Sequence, residues 1–365
     1  MKKTLALIMA LVMVLALCAC GSSAAPAATE APAAEAPAAE APAAEAPAAE
    51  APAAGGGTVK VICPYGAGGV ADLVTRKWAE SANKVQSDYN FVVENLTGGD
   101  GFTANDTFST EDPNTMDLLV MGYGVCYRVD AAAKYNTEEV DFDLTKNVPF
   151  CTIDDRTWIM FGKPGTTLAD VLAKAKDGGI KMSGGNPLSD PHLALGTLIA
   201  AEGGKVQPIP YDGGAEQKKG LTDGEVDVFV GGSPVTKDDV EAGTLVPLLA
   251  FSDHPFEGFV GPDGNAISVP CIVGEGKAPE LNADNDYSAS ILAGGGGLAT
   301  HEGCDPAFRD AMTEIAKQVW ADEEFSGWVE GSLLNNFQKY GDDAVNFYTE
   351  AREKAMNAYA ILFGE

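Results

Sequence analysis

Two stretches of the chain pair a short apolar run with a glycine turn and a helix start, an arrangement that leaves main-chain N–H groups free to hold an anion. The first is Pro64-Tyr65-Gly66-Ala67-Gly68-Gly69, with Asp72 in the first turn of the helical pattern that follows. The second runs Ser183-Gly184-Gly185-Asn186-Pro187-Leu188-Ser189-Asp190-Pro191-His192. The first N–H groups of a helix have no intrahelical partners, and the macrodipole adds about 0.3–1 kcal/mol for a negative charge placed there. Such a turn suits a carboxylate. Tyr65, Gly66, Ala67, Gly68, Gly69 and Asp72 are therefore expected to form one cradle, and Ser183, Gly184, Gly185, Ser189 and His192 the other. Asp72 either caps its helix or meets the ligand; Ser183 is the better ligand donor, because Ser189 has an evident capping role. Tyr211 and Asp212, beside Gly213 and Gly214, are candidates for specificity. Asp212 facing the ligand would favour a hydroxyl or amine over a second carboxylate; facing solvent it is a turn residue. Arg128 and Arg156 could hold a distal carboxylate, with solvent-exposed roles as the default.

Other chemistries fit less well. The turn G-x-G-G lacks the third glycine of a dinucleotide fingerprint. Ser189-Asp190-Pro191-His192 invites a hydrolase reading, but no G-x-S-x-G elbow accompanies it. With three histidines and no C-x-x-C metal spacing, a zinc site is not expected, nor is any cofactor. A formal net charge of −29 argues against nucleic acid, since phosphate binding needs clustered Lys and Arg.

Elements that must position these turns follow in order. Strands are expected at Val59–Cys63, Asn90–Asn95, Asp117–Gly122, Trp158–Phe161, Ile180–Ser183, Val206–Tyr211, Val226–Gly231, Val246–Phe251 and Ser288–Ala293, the last ahead of the glycine run Gly294–Gly297. Helices are expected at Val70–Lys84, to about Thr110, at Leu168–Ala175 capped by Thr166 or Thr167, at His192–Glu202, through Leu221, and at Pro306–Trp320 and Ala344–Phe363. Alternating strands and helices argue for parallel sheets covered by helices, with function at the carboxyl ends of the strands. Glu257–Tyr287 reads as a long, acidic, irregular insertion.

Ahead of this body, Met1–Ala19 reads as an export signal with Lys2, Lys3 and an apolar run shorter than the ~20 residues of a membrane span. Leu17-Cys18-Ala19-Cys20 resembles a bacterial lipobox, with Cys20 the expected lipidation site. Residues 20–57 repeat Ala-Pro-Ala-Ala-Glu, which excludes a core and predicts an extended tether on the order of 100 Å. The remaining cysteines, Cys63, Cys126, Cys151, Cys271 and Cys304, stand singly and are expected to pack as small hydrophobes.

With these stretches in place, the chain resembles the substrate-binding proteins of tripartite tricarboxylate transporters, the Bug or TctC-type family. PYGAGGVADLVTR is similar to that family's loop and helix, with Asp72 and Arg76 at matching places; VVENLTGGDGFTAN matches through Glu94, Asn95, Gly98 and Gly101. MSGGNPLSDPHLALGTL and IPYDGGAEQKKGLTDGEVDV supply two more segments in order. The resemblance implies an α/β, two-lobed periplasmic-binding-protein fold of type II with the ligand in the interlobe cleft. It divides the body into 58–157 (lobe 1), 158–293 (lobe 2) and 294–365 (lobe 1 again). Together with the export signal and the lipobox at Cys20, it implies an extracytoplasmic, lipid-anchored monomer that is not an enzyme, binds a small di- or tricarboxylate and delivers it to membrane transporter subunits. A membrane sensor as partner, or a secreted α/β hydrolase, are the alternatives.

Overall fold

The apolar runs form strands where their neighbours allow both faces to be covered. The computed structural model describes residues 56–184, 186–211 and 213–364. The export signal, Cys20, the tether, Gly185 and Asp212 lie outside the described residues. In chain order, β1 (Thr58–Cys63), β2 (Asn90–Asn95), β3 (Leu118–Gly122) and β4 (Asn147–Arg156) build a first sheet. Next, β5 (Ile159–Gly162), β6 (Ile180–Gly184), β7 (Val206–Pro210), β8 (Val228–Gly231) and β9 (Val246–Ala250) build a second. After the two-stranded β10 (Phe256–Val260) and β11 (Ala266–Val269), β12 (Gly294–His301) returns to the first. The sheet orders are β2-β1-β3-β12-β4 and β7-β6-β8-β5-β9. This is the two-lobed α/β architecture expected from the sequence.

The helices are α1 (Val70–Val85), α2 (Phe102–Thr110), α3 (Tyr123–Tyr135), α4 (Leu168–Lys176), α5 (Asp190–Ala201), α6 (Gly214–Asp223), α7 (Lys237–Glu241), α8 (Pro306–Ala321), α9 (Glu323–Gly331) and α10 (Asp342–Phe363). Thr167 and Asp170 close a reciprocal capping box on α4, which answers the choice between Thr166 and Thr167. The apolar stripe of α1 buries Val74 and Trp78 in the first lobe's core, against Phe91 of β2 and the α8 residues Phe308 and Met312. The last helix, α10, touches both lobes: Arg352 pairs with Asp130 of α3, with Nε–Oδ2 at 2.7 Å, and the Tyr359 hydroxyl donates to the Leu188 carbonyl at 2.6 Å.

The sheets are mixed rather than parallel. β1 pairs in parallel with β2 and β3, and β6 with β7 and β8, but β12 runs antiparallel to both β3 and β4, and β5 antiparallel to β8 and β9. The glycine run Gly294–Gly297, given no element from the sequence, opens the strand β12 itself, and Ser288–Ser290, expected within a strand, is a single helical turn. Glycine is needed because β12 is pressed between two backbones. A Cβ on Gly296 would stand 2.5 Å from the Met121 carbonyl oxygen, and one on Gly295 would collide with the Asp154 carbonyl. The acidic insertion is not irregular throughout, for it contains the β10–β11 hairpin, with Phe259 and Val269 buried in a core shared with β5 and β8. Cys63, Cys126, Cys151, Cys271 and Cys304 are all free thiols and buried, as packing residues would be. Among the described residues no helix is long and apolar enough to cross a membrane.

Candidate functional site

Strand ends at one edge of each sheet face each other across a cavity of about 120 Å³. One water needs ~10–15 Å³ by this measure, so the space suits a ligand on the order of ten non-hydrogen atoms. Its first-lobe wall is Tyr65, Gly69, Val70, Ala71, Asp100, Val120, Gly122, Gly124 and Gly295–Gly296; its second-lobe wall includes Ser189, Asp190, Gly213, Gly214, Gln217 and Gly231–Gly232. Glycines from many segments present main chain, not side chains, to the space. Ile153, Asp154, Arg156 and Trp158 form its floor, on the end of β4 and the crossing to β5. The two loops meet at one rim, where a Cβ on Gly213 would stand 3.8 Å from Gly66 Cα. The cleft is closed there.

Polar groups on this floor and wall are buried without partners among the described residues: Asp154 Oδ1, Arg156 Nε, Trp158 Nε1 and Ser189 Oγ. Leaving such a group unpaired costs ~1–3 kcal/mol. Gathering several around one cavity is the arrangement of a site for a polar molecule. Arg156 hydrogen-bonds Asp154 Oδ2, and its guanidinium lies 5.4 Å from the centroid of the Trp158 ring. Burial lowers the Arg156 pKa to about 10, opposed by Asp190 and neighbouring tyrosines, so it stays cationic at neutral pH. The Asp190 carboxyl is pushed up to about 6, first by burial and then by Asp100. Burial also raises Asp100, against the pull of Arg128.

The residues singled out from the sequence divide. Tyr65, Gly69 and Ser189 line the cavity; Gly66, Ala67, Gly68 and Asp72 do not. The Asp72 carboxylate is saturated by the Gly68 N–H (2.9 Å), Arg76 Nε (3.0 Å) and Asn95 Nδ2 (2.8 Å). It holds the loop's shape, and the Gly68 N–H is thereby already used. Burial alone would raise the Asp72 pKa, but these hydrogen bonds hold it below its usual value. Asp72→Ala is accordingly expected to destabilise the protein by about 2–3 kcal/mol at neutral pH. A carboxyl with a depressed folded-state pKa loses its contribution on protonation, so the deficit should shrink as pH falls below about 4. Urea denaturation of both proteins at neutral and acid pH measures it; an unchanged midpoint would remove this role from Asp72.

In the second cradle the two serines differ in their placement. Ser189 occupies the N-cap position of α5 without a side-chain cap bond; the residue lines the cavity and its hydroxyl is buried without a partner among the described residues. Ser183 is fully buried and does not line it. Gly184 accepts a hydrogen bond from the Tyr211 N–H at 2.8 Å and stays outside the lining, as does His192, whose pKa is lowered by burial. Tyr211 donates its hydroxyl to Glu225 at 2.6 Å, away from the cavity. Gly185 and Asp212 lie outside the described residues.

Neither arginine is solvent-exposed. Arg128, 1% exposed, is consumed by Glu138 and by the carbonyls of Gly99 and Asp100. Arg156 is the cation of the cavity. Asp154, Trp158, Asp190 and Gln217 were not anticipated as site residues. A signal existed in the stretch Val148–Gly162, where Asp154-Asp155-Arg156 interrupts two apolar runs at the point where the chain leaves one sheet for the other.

No family model matches the chain. It is 27% identical over 197 residues to the "UPF0065 protein in gbd 5'region" of Cupriavidus necator, a match covering 53% of this chain and 59% of that relative. The chain thus spans less than two thirds of the relative's length. Among solved structures it is similar to R. palustris Rpa4515 with adipate (TM-score 0.66, 15% identity, 84% of this chain and 96% of that one). It is similar to the periplasmic binding protein BugD as well (TM-score 0.67, 16% identity, 84% and 97%). The resemblance to Bug and TctC-type binding proteins read from the sequence is borne out by these structural neighbours, and the fold is that of periplasmic binding proteins.

Proposed function

We propose that the chain is an extracytoplasmic solute-binding lipoprotein, held to the membrane through Cys20. It captures a small organic carboxylate between its lobes and delivers it to a tripartite tricarboxylate-type membrane transporter. The lobes divide at 58–157 with 294–365, and at 158–293. The observation that carries the reading is the closed cleft walled by glycine main chain and furnished with the unpartnered donors Arg156 Nε, Trp158 Nε1 and Ser189 Oγ. The solved neighbour holding adipate supports the ligand class. The order of motifs from Pro64 to Asp227 supports the transport role.

The energetics are sufficient. Hydrogen bonds to a charged group contribute about 1.5–3 kcal/mol each, and about 8 kcal/mol corresponds to micromolar binding. A panel of mono-, di- and tricarboxylates, tested by thermal unfolding and calorimetry, is expected to contain a ligand that raises Tm by about 4–8 °C at saturating concentration. No shift and no heat across the panel would overturn the proposal.

A further inference from the structure

The charges around the cavity do not balance. Its charged lining side chains are Asp100, Asp154, Arg156 and Asp190. Arg156 is bonded to Asp154, and Arg128 lies 3.5 Å from Asp100 while also bonding Glu138. Asp190 has no ion-pair partner among the described residues and faces the Tyr127 hydroxyl. With every carboxylate ionised, the cavity holds a surplus of negative charge. Asp154, which lines the cavity and is 4% exposed, has one unpartnered oxygen, Oδ1. A ligand that brings two carboxylates would set like charges together in a partly water-excluded site, which costs several kcal/mol. A ligand that brings one carboxylate and one ammonium would meet both signs: unpartnered donors on Arg156, Trp158 and Ser189, an unpartnered acceptor on Asp154, and the carboxyl group of Asp190.

We propose that the ligand is a small amino monocarboxylate, its ammonium selected by Asp190 and Asp154. This rests on the carboxylate-capturing role given above and narrows it against dicarboxylates. Physically, an ammonium takes the place of the proton that the buried Asp190 retains below about pH 6, so binding of a cationic group and ionisation of Asp190 are linked. The groups facing Asp190 are Asp100, Arg156, Tyr65, Tyr127 and Tyr359. The tyrosines are pushed above their usual range by burial, and Arg156 remains cationic to about 10, so between pH 5 and 8 the carboxyls carry the titration.

The test compares four-carbon probes of matched size by calorimetry: 2-aminobutanoate, 4-aminobutanoate, butanoate and succinate. At about pH 7.5 one aminobutanoate isomer is expected to bind about tenfold to a hundredfold more tightly than butanoate or succinate, the range for a charge-assisted hydrogen bond. Its affinity should rise about tenfold from about pH 5 to about pH 7.5, as Asp190 gives up its proton. Succinate should show the opposite sign. Asp190→Asn should abolish the preference for the amine over butanoate. Should that variant not fold, the sign of the pH dependence in the unaltered protein decides. Succinate or butanoate binding as tightly as both aminobutanoates, or amine affinity falling as pH rises, would overturn the inference and leave the carboxylate-binding role standing. Absence of binding by all four probes and by the wider carboxylate panel would overturn both.

Discussion

Gly297→Val is expected to leave the protein unable to fold. A Cβ at this position would collide with the Cys151 carbonyl oxygen and stand 2.9 Å from its carbon, both main-chain atoms of β4. A flexible side chain could move aside, but β4 is held on its far edge. Thr152 donates its N–H to the Lys339 carbonyl at 3.1 Å and its hydroxyl to the Phe337 carbonyl at 2.7 Å, and its Oγ1 accepts from the Lys339 N–H at 2.9 Å. Overfilling an ordinary core costs about 1–3 kcal/mol. A clash with pinned backbone in a central strand should exceed about 4 kcal/mol, the range in which single changes become diagnostic. Gly327→Ala is the control, since nothing lies within 4 Å of a Cβ there, in the middle of α9. It should stabilise by about 0.5–1 kcal/mol through helix propensity. Soluble yield and urea denaturation distinguish the two, and a Gly297→Val protein with wild-type stability would refute the account of β12.

Arg156→Met carries the second large effect, on both stability and binding. The change strands the Asp154 carboxylate, buried to 4% exposure, without its cation. Breaking a buried pair from one side costs about 3–5 kcal/mol, more than the intact pair contributes, because the remaining charge stays desolvated. The sign of its pH dependence follows. The destabilisation comes from an uncompensated buried negative charge, so it is greatest at neutral pH and should be relieved in acid, where a carboxylate can take up a proton. Carboxylate affinity should fall about a hundredfold, since one charged hydrogen-bond donor is removed from the cavity. Denaturation at about pH 7.5 and about pH 5, together with calorimetry, checks both parts. A gap below about 1 kcal/mol that does not narrow on acidification would show that the Arg156–Asp154 pair contributes little.

Much of the fold was readable because its signals are local. The run Asn90–Asn95 became β2 with the same bounds, and Thr167 capped α4, because alternation and capping depend on residues a few positions apart. Misreadings arose where a long-range neighbour decides. Gly294–Gly297 shows no strand signal in isolation, since glycine has little intrinsic preference for a strand; it becomes one because only a chain without Cβ atoms fits between β3 and β4. β4 and α3 also went unanticipated. The apolar residues of β4 do not alternate cleanly, because that strand is buried on both faces, from Pro149 to Asp154.

The site shows the same division. By itself the sequence determined that strands end in glycine turns at helix starts, and hence where main chain is exposed for a ligand. That follows from backbone freedom at glycine and from unpaired N–H groups, properties of contiguous residues. Only the tertiary structure decided which of those groups remain free. Asp72 and Asn95 consume part of the first loop internally, the uncapped Ser189 lines the cavity while Ser183 is sealed away, and the crossing from β4 to β5 carries Asp154, Arg156 and Trp158 to the cavity floor. Charge in a cleft is a sum over segments far apart in the chain, so the surplus at Asp190 exists only once the two lobes have closed over one space.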